Sequence, residues 1–363
     1  MIEDAATIIA LIQNAPGPTD VFGPHSDNPA DIRAAKRTFR IYANAVHPDR
    51  ARATGISAPA AAAAFARLTE LHGQWQHVKP NREGEKAAKA KMTITSAADV
   101  YTLGACIARG AIANIYRAHN RAAEVVAVKI PRAVASSSFL DNEQQALGMI
   151  TTFCAVPENN WLTPYYPKLL DTATHRSAAG ENRTVNVLSD LSPRQGFVTL
   201  AEVKDAIPEG LDGRDWAWIF RRLLRAVSGA HLMGLVHGAI LPDNILIHPE
   251  GHGVVLAGWS FTTTAGLPVK GKVHSRKDFY PPDADTEASS ATDVYMAAAV
   301  MQSMLKPNEH AQLRFARGCM QNAPRLRPSA VSLMGEYDDL LESLYGKRTF
   351  RRFPYTITAA TTA

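Results

Sequence analysis

Apolar residues recur at helical spacing in two stretches near the start of the chain. Ile32, Ala35, Phe39, Tyr42 and Val46 fall at steps of three and four, which predicts a helix over 29–46 with one apolar face. Asn28 suits its N-cap and Asp31 its first turn. Arg33, Lys36, Arg37 and Arg40 share a different face and make it basic. Phe65, Leu68, Leu71, His72 and Trp75 predict a second helix over 60–75. Two such faces joined by a loop predict an antiparallel helical hairpin. Residues 77–97 then lose all apolar periodicity. Lys79, Arg82, Lys86, Lys89 and Lys91 stand there against Glu83 and Glu85, and the stretch reads as a linker. From Tyr101 onward strand patterns come first and helical patterns follow, with no internal repeat.

Composition narrows the class. The 363 residues suit two unequal domains, and 46% hydrophobic with 20% charged residues can fill ordinary cores. No apolar run approaches the roughly 18 residues that span a bilayer. Met1 to Pro16 carries Glu3 and Asp4 but no Lys or Arg, so a secretory leader is not expected. Cys106, Cys154 and Cys319 are odd in number and far apart. They suggest neither a disulfide framework nor a metal site, and a cytoplasmic location is the expectation. Heavy use of Ala and Arg hints at a GC-rich bacterial or phage source. The net charge of +5 is modest. Its two short basic runs, the linker and the tail with Lys347, Arg348, Arg351 and Arg352, read as solvated charge, so nucleic acid is not expected as a partner.

Between the two helical patterns sits His47-Pro48-Asp49-Arg50. Pro48 ends the preceding helix and leaves a His and an Asp at a rigid turn. Thr19-Asp20-Val21-Phe22-Gly23 lies upstream, and Phe65-Ala-Arg-Leu-Thr-Glu follows. Together, across residues 17–76, these features resemble the J domain of the DnaJ co-chaperone family. The resemblance implies that His47, Pro48 and Asp49 trigger ATP hydrolysis by a DnaK-type chaperone of the heat-shock 70 kDa class. It also implies that Arg33, Lys36, Arg37 and Arg40 steer that acidic partner. Ala51 to Ala58 lengthens the loop, and the glycine/phenylalanine and zinc regions of full DnaJ proteins are missing.

A second set of motifs follows in order. Val125-Val-Ala-Val-Lys129-Ile is a β-branched run ending in Lys, preceded by Gly110 in a turn and followed by a helical pattern with Glu143. Farther on come His237-Gly238-Ala239-Ile-Leu241-Pro242-Asp243-Asn244, Gly258-Trp259-Ser260, Pro281-Pro282-Asp283, Thr292-Asp293 and Arg327-Pro328. This order resembles a protein kinase, strand Lys and helix Glu included. The resemblance implies that Gly110, Lys129, Glu143 and Asn244 could touch nucleotide. It assigns fold-holding roles to Asp283, Asp293 and Arg327, and places His237, Leu147 and Trp259 in the core.

The chemistry at these positions departs from the family. Ala239 stands at the catalytic-base position, and a methyl group accepts no proton, a loss worth about 10²–10⁴-fold. Leu241 replaces the loop Lys and Gly258 the metal-holding Asp, which removes the electrostatic clamp on a moving phosphoryl group. Ala108 and Ala113 replace two of the three loop glycines. Asp243 is the nearest carboxylate, offset along the loop. No catalytic residue or metal ligand is therefore assigned, and Ala239, Leu241 and Gly258 are read as degenerate positions.

The resulting fold class is multi-domain: a small all-α J domain over 1–78, a basic linker over 79–97, and an α+β bilobal kinase-like fold over 98–346. Its small lobe is expected over 98–188 and its large lobe over 189–346, with a basic tail over 347–363. The expected function is a co-chaperone adaptor. The J domain fires the chaperone, and a pseudokinase unit recognises a client protein whose identity is unknown. The alternative is a divergent serine/threonine kinase with a chaperone-docking module. No cofactor is required, and any ATP binding is expected to be weak and indifferent to magnesium.

Overall fold

The computed structural model describes residues 5–15, 17–23, 29–48, 56–77, 92–176 and 180–357. The chain divides into two units, Met1–Ala90 and Lys91–Ala363. Asp49, Asn28, most of the loop insertion and most of the linker lie outside the described residues.

Among the described residues the first unit holds helices α1 (Ala5–Gln13), α2 (Pro18–Phe22), α3 (Pro29–Ala45) and α4 (Ala58–His77). α3 and α4 run antiparallel. Phe39 stacks on His72 with ring centroids 4.2 Å apart, while His47 meets Phe65 edge-on at 5.3 Å. Ala35, Val46, Leu68 and Leu71 are fully buried between them. Two helices arrive that the periodicity did not predict. α1 is nine residues long and buries Ile8, Ile9 and Ile12 in the same core, a pattern too short to separate from a random apolar cluster. α2 begins with Pro18 at a position where its missing N–H costs nothing, and Asp20 accepts the Gly17 N–H at 2.9 Å. It ends at Gly23, whose φ of +78° suits glycine. The Gly23 carbonyl accepts the Trp75 indole N–H at 2.7 Å, which fixes this end to α4.

The second unit opens with an antiparallel sheet of β1 (Thr93–Thr95), β2 (Val100–Arg109), β3 (Ala113–His119), β4 (Val125–Pro131), β5 (Leu169–Arg176) and β6 (Asn182–Ser189), in the order β1-β2-β3-β4-β6-β5. β1 corrects the expected linker, which ends before it. Thr93-Ile94-Thr95 alternates exposed, buried, exposed, and Ile94 is sealed in the small-lobe core. Three residues were too few to register as a strand period. Asp171 ties the two ends of the sheet, accepting from Ser96 and, at 2.7 Å, from Tyr101.

One sheet face carries Val126, Val128, Ile130, Val185 and Val187 into a core of its own. The other face, with Ala127, Lys129, Asn186 and Leu188, turns to helix α5 (Ser137–Cys154) and the interlobe core. The large lobe contains α6 (Leu200–Ala206), α7 (Gly213–Leu232), α8 (Ser290–Met304), α9 (His310–Cys319) and α10 (Ala330–Tyr345). Short strands β7 (Val198–Thr199), β8 (Leu235–Val236), β9 (Ile245–His248), β10 (Gly253–Leu256) and β11 (Thr263–Thr264) frame its loops. Trp216, Phe220, Trp259 and Tyr337 anchor its core. The large lobe does not stop at residue 346. Phe353 is buried in that same core, so the stretch expected as a solvated basic tail packs on the lobe.

Candidate functional site

The interlobe face of β4 places Lys129, and α5 places Glu143 opposite it. Lys129 Nζ lies 2.7 Å from Glu143 Oε1 and donates to Ser260 Oγ at 2.8 Å. Glu143 is 1% exposed and Lys129 8%, so the pair is desolvated and survives by being fully bonded. Asn186 of β6 donates to Glu143 Oε2 at 3.0 Å and takes the Gln144 amide at 2.8 Å. Asn142 donates to the carbonyls of Ser260 and Thr262. Helix α5 is thus stitched to the sheet on one side and to the Gly258-Trp259-Ser260 loop on the other.

Gly110 sits at the β2–β3 turn. Its N–H donates to Ala113 O at 2.8 Å, and a Cβ there would come within 3.0 Å of that oxygen. This amide closes a hairpin. Ile112 at the tip packs toward the interlobe core, and its carbonyl accepts from Arg132 N.

The loop from His237 to Asn244 is firmly built, with Ala239 buried in it and Asp243 as its one carboxylate. Asp293 accepts from the backbone N–H of His237 at 2.8 Å and of Gly238 at 2.9 Å, with His231 Nε2 at 3.0 Å. Gly238 has φ +68°, and an added Cβ would lie 3.0 Å from Phe261 O. His237 is fully buried, and that burial holds its imidazole below the ordinary range. Its Nδ1 accepts from Ala239 N, which leaves Nε2 to donate to Ala257 O at 2.9 Å. Ala239 and Leu241 are both buried, and Leu241 packs in the core.

Asn244 and Gly258 meet directly. Gly258 adopts φ +83°, and a Cβ on it would fall 2.4–2.6 Å from three side-chain atoms of Asn244. The Asn244 amide therefore stands where a Cβ at 258 would project, and it donates to Ala239 O at 2.8 Å. Both oxygens of Asp243 are taken by Arg276, at 2.7 and 2.9 Å. Arg327 pairs with Asp283 and donates to the carbonyls of Gln321, Asn322 and Ala291.

Sequence reasoning missed Ser260, Asn186, Asn142 and Arg276. Asn186 had a signal, a lone amide inside the apolar run Val185-Asn-Val-Leu. Arg276 had none, since only the fold brings it to Asp243.

In the first unit His47 and Pro48 are half-buried just beyond α3. Arg33, Lys36, Arg37 and Arg40 are all exposed on that helix, with Ile41 beside them.

No family model matches the sequence, and no curated protein matches it. Solved structures do match, 1847 chains in all, so the likeness is to a widespread fold. One is described as the structure of vaccinia related kinase 3. It superposes with a TM-score of 0.57 at 17% identity, over 73% of this chain and 94% of that one. At that identity the likeness establishes a protein-kinase-like fold and nothing finer.

Proposed function

We propose that the protein is a non-enzymatic adaptor, in which the first unit acts as a J domain on a DnaK-type chaperone and the kinase-like unit recognises a client. The observation that carries the non-enzymatic half is the Asn244 side chain lying in the volume above Gly258, beside Ala239. A kinase needs a carboxylate to orient the attacking hydroxyl and another to hold magnesium. Neither position has one, and at the second a side chain would meet Asn244. Lys129 is engaged by Glu143 and Ser260, which suits a structural pair that keeps α5 in place without nucleotide. The chaperone half is supported by His47 and Pro48 following the first helix of an antiparallel pair, a helix that carries four exposed basic residues.

The intact Lys129–Glu143 pair also favours the rival reading, a divergent kinase. Radiolabelled ATP with the full-length protein, generic substrates, magnesium and manganese separates the two. The adaptor reading expects no incorporation. Incorporation that disappears in Lys129→Met overturns it in favour of the kinase.

A further inference from the structure

The segment after α10 lies across the large lobe as a ligand would. Arg348 reaches Asp338 at 2.6 Å, and Arg351 Nε lies 2.8 Å from Asp215 of α7. Phe350 stacks on His252 with centroids 4.6 Å apart, His252 stacks on Trp218 at 4.4 Å, and Phe353 meets Trp218 edge-on. Asp215, Trp218 and Arg222 recur at steps of three and four on α7, so one face of that helix forms the seat. His252, in the β9–β10 turn, holds φ +54°, uncommon for a residue with a side chain, and that backbone accompanies the placement of its ring between two aromatics.

The fit is incomplete. Trp218 Nε1 and His252 Nε2 are buried without a hydrogen-bond partner among the described residues, while Asp215 Oδ1 is met by Arg351 Nε. All three residues are more than nine-tenths buried. Part of the occupant is exposed. Phe350 is 76% exposed, and the Arg348 side chain 61%. The exposed Arg348–Asp338 pair adds little, which leaves Phe353 and the Arg351 pair with the buried Asp215 as the anchors. The unmatched Trp218 and His252 nitrogens, under an occupant whose Arg348 and Phe350 stay exposed, mark a surface that its own chain fills imperfectly.

We propose that residues 347–353 are a self-bound docking segment, and that the aromatic seat beneath them, with Asp215 and Asp338 at its edges, takes basic-aromatic segments of partner proteins. The chemistry is read from the occupant: two arginines spaced to meet Asp215 and Asp338, the latter shared with Arg221, and an aromatic that seats on Trp218 beside Arg222. The inference deepens the recognition half of the function proposed above and rests on that reading for what binding accomplishes. It is independent of the chaperone half.

The test uses the full-length chain and a labelled peptide of residues 347–357, followed by fluorescence anisotropy. A tethered segment competes at an effective concentration of about millimolar, so the wild type should bind the peptide barely. Phe353→Ala should bind it at least about tenfold more tightly, and adding Asp215→Asn with Asp338→Asn should reverse that gain. Arg348→Ala with Arg351→Ala changes only exposed side chains and should also open the seat. If Phe353→Ala unfolds, the arginine variant decides alone. A folded variant that binds no peptide overturns the proposal, as does binding that ignores the two aspartates. Concentration-dependent dimerisation of the variants without peptide binding also overturns it, by assigning the seat to a second copy. Chaperone stimulation measured on the same variants should stay unchanged. Its loss everywhere would count against the first unit's role and not against the seat.

Discussion

At the scale of single residues, the kinase-like site is a closed set of polar contacts. Removing Glu143 leaves the buried Lys129 ammonium with only Ser260. Glu143→Ala should cost about 3–5 kcal/mol in denaturant unfolding of the second unit. Lys129→Met combined with Glu143→Leu should cost clearly less than the sum of the single changes, because the unpaired charge is gone. Gly258→Asp should not create a magnesium site. Asp would strain at φ +83° and strike Asn244, so a loss of about 1–3 kcal/mol and no magnesium-dependent gain in melting temperature are expected. His237 adds a pH signature. Burial depresses its folded pKa, so its contribution is intact above the unfolded value near 6.5. As pH falls below that value the unfolded chain takes up a proton that the folded chain resists, and stability drops by up to about 1.4 kcal/mol per unit. Melting of the second unit should be flat from pH 7 to 8, fall below about 6.5, and fall less steeply in His237→Gln. Lys129 and Glu143 were legible in the sequence because each stands in a motif. Ser260 as a second partner for Lys129 and Asn244 as the filler of the Gly258 volume were not, because those are distances between loops.

At the scale of elements, long amphipathic stretches were legible and short ones were not. α3 and α4 announce themselves by four or five apolar positions each. α1 and β1 rest on three residues and one residue respectively, and only tertiary burial shows which apolar cluster becomes structure. Ile12 of α1 is fully buried against the first unit's core. Ile12→Ala should therefore cost about 2–5 kcal/mol, read from the helical circular dichroism of the full-length chain on urea titration. A cost within about 0.5 kcal/mol, the range of surface changes, would show that α1 is an appendage. The tail was misread for a related reason. Its basic residues suggested solvation, and the buried Phe353 among them decided its place.

At the scale of the whole molecule, the chain joins a helical unit with an exposed basic helix to a unit with a protein-kinase-like fold. The proposal that the first unit acts on a chaperone is tested most directly by single-turnover ATP hydrolysis on a cognate DnaK-type chaperone, with the full-length protein added at increasing concentration. The expected result is a stimulated rate, falling as salt screens attraction beyond about 10 Å at 0.1 M, and abolished by His47→Gln in a protein that keeps its helical circular dichroism. A folded wild-type protein that leaves the hydrolysis rate unchanged at every concentration and salt would contradict the account.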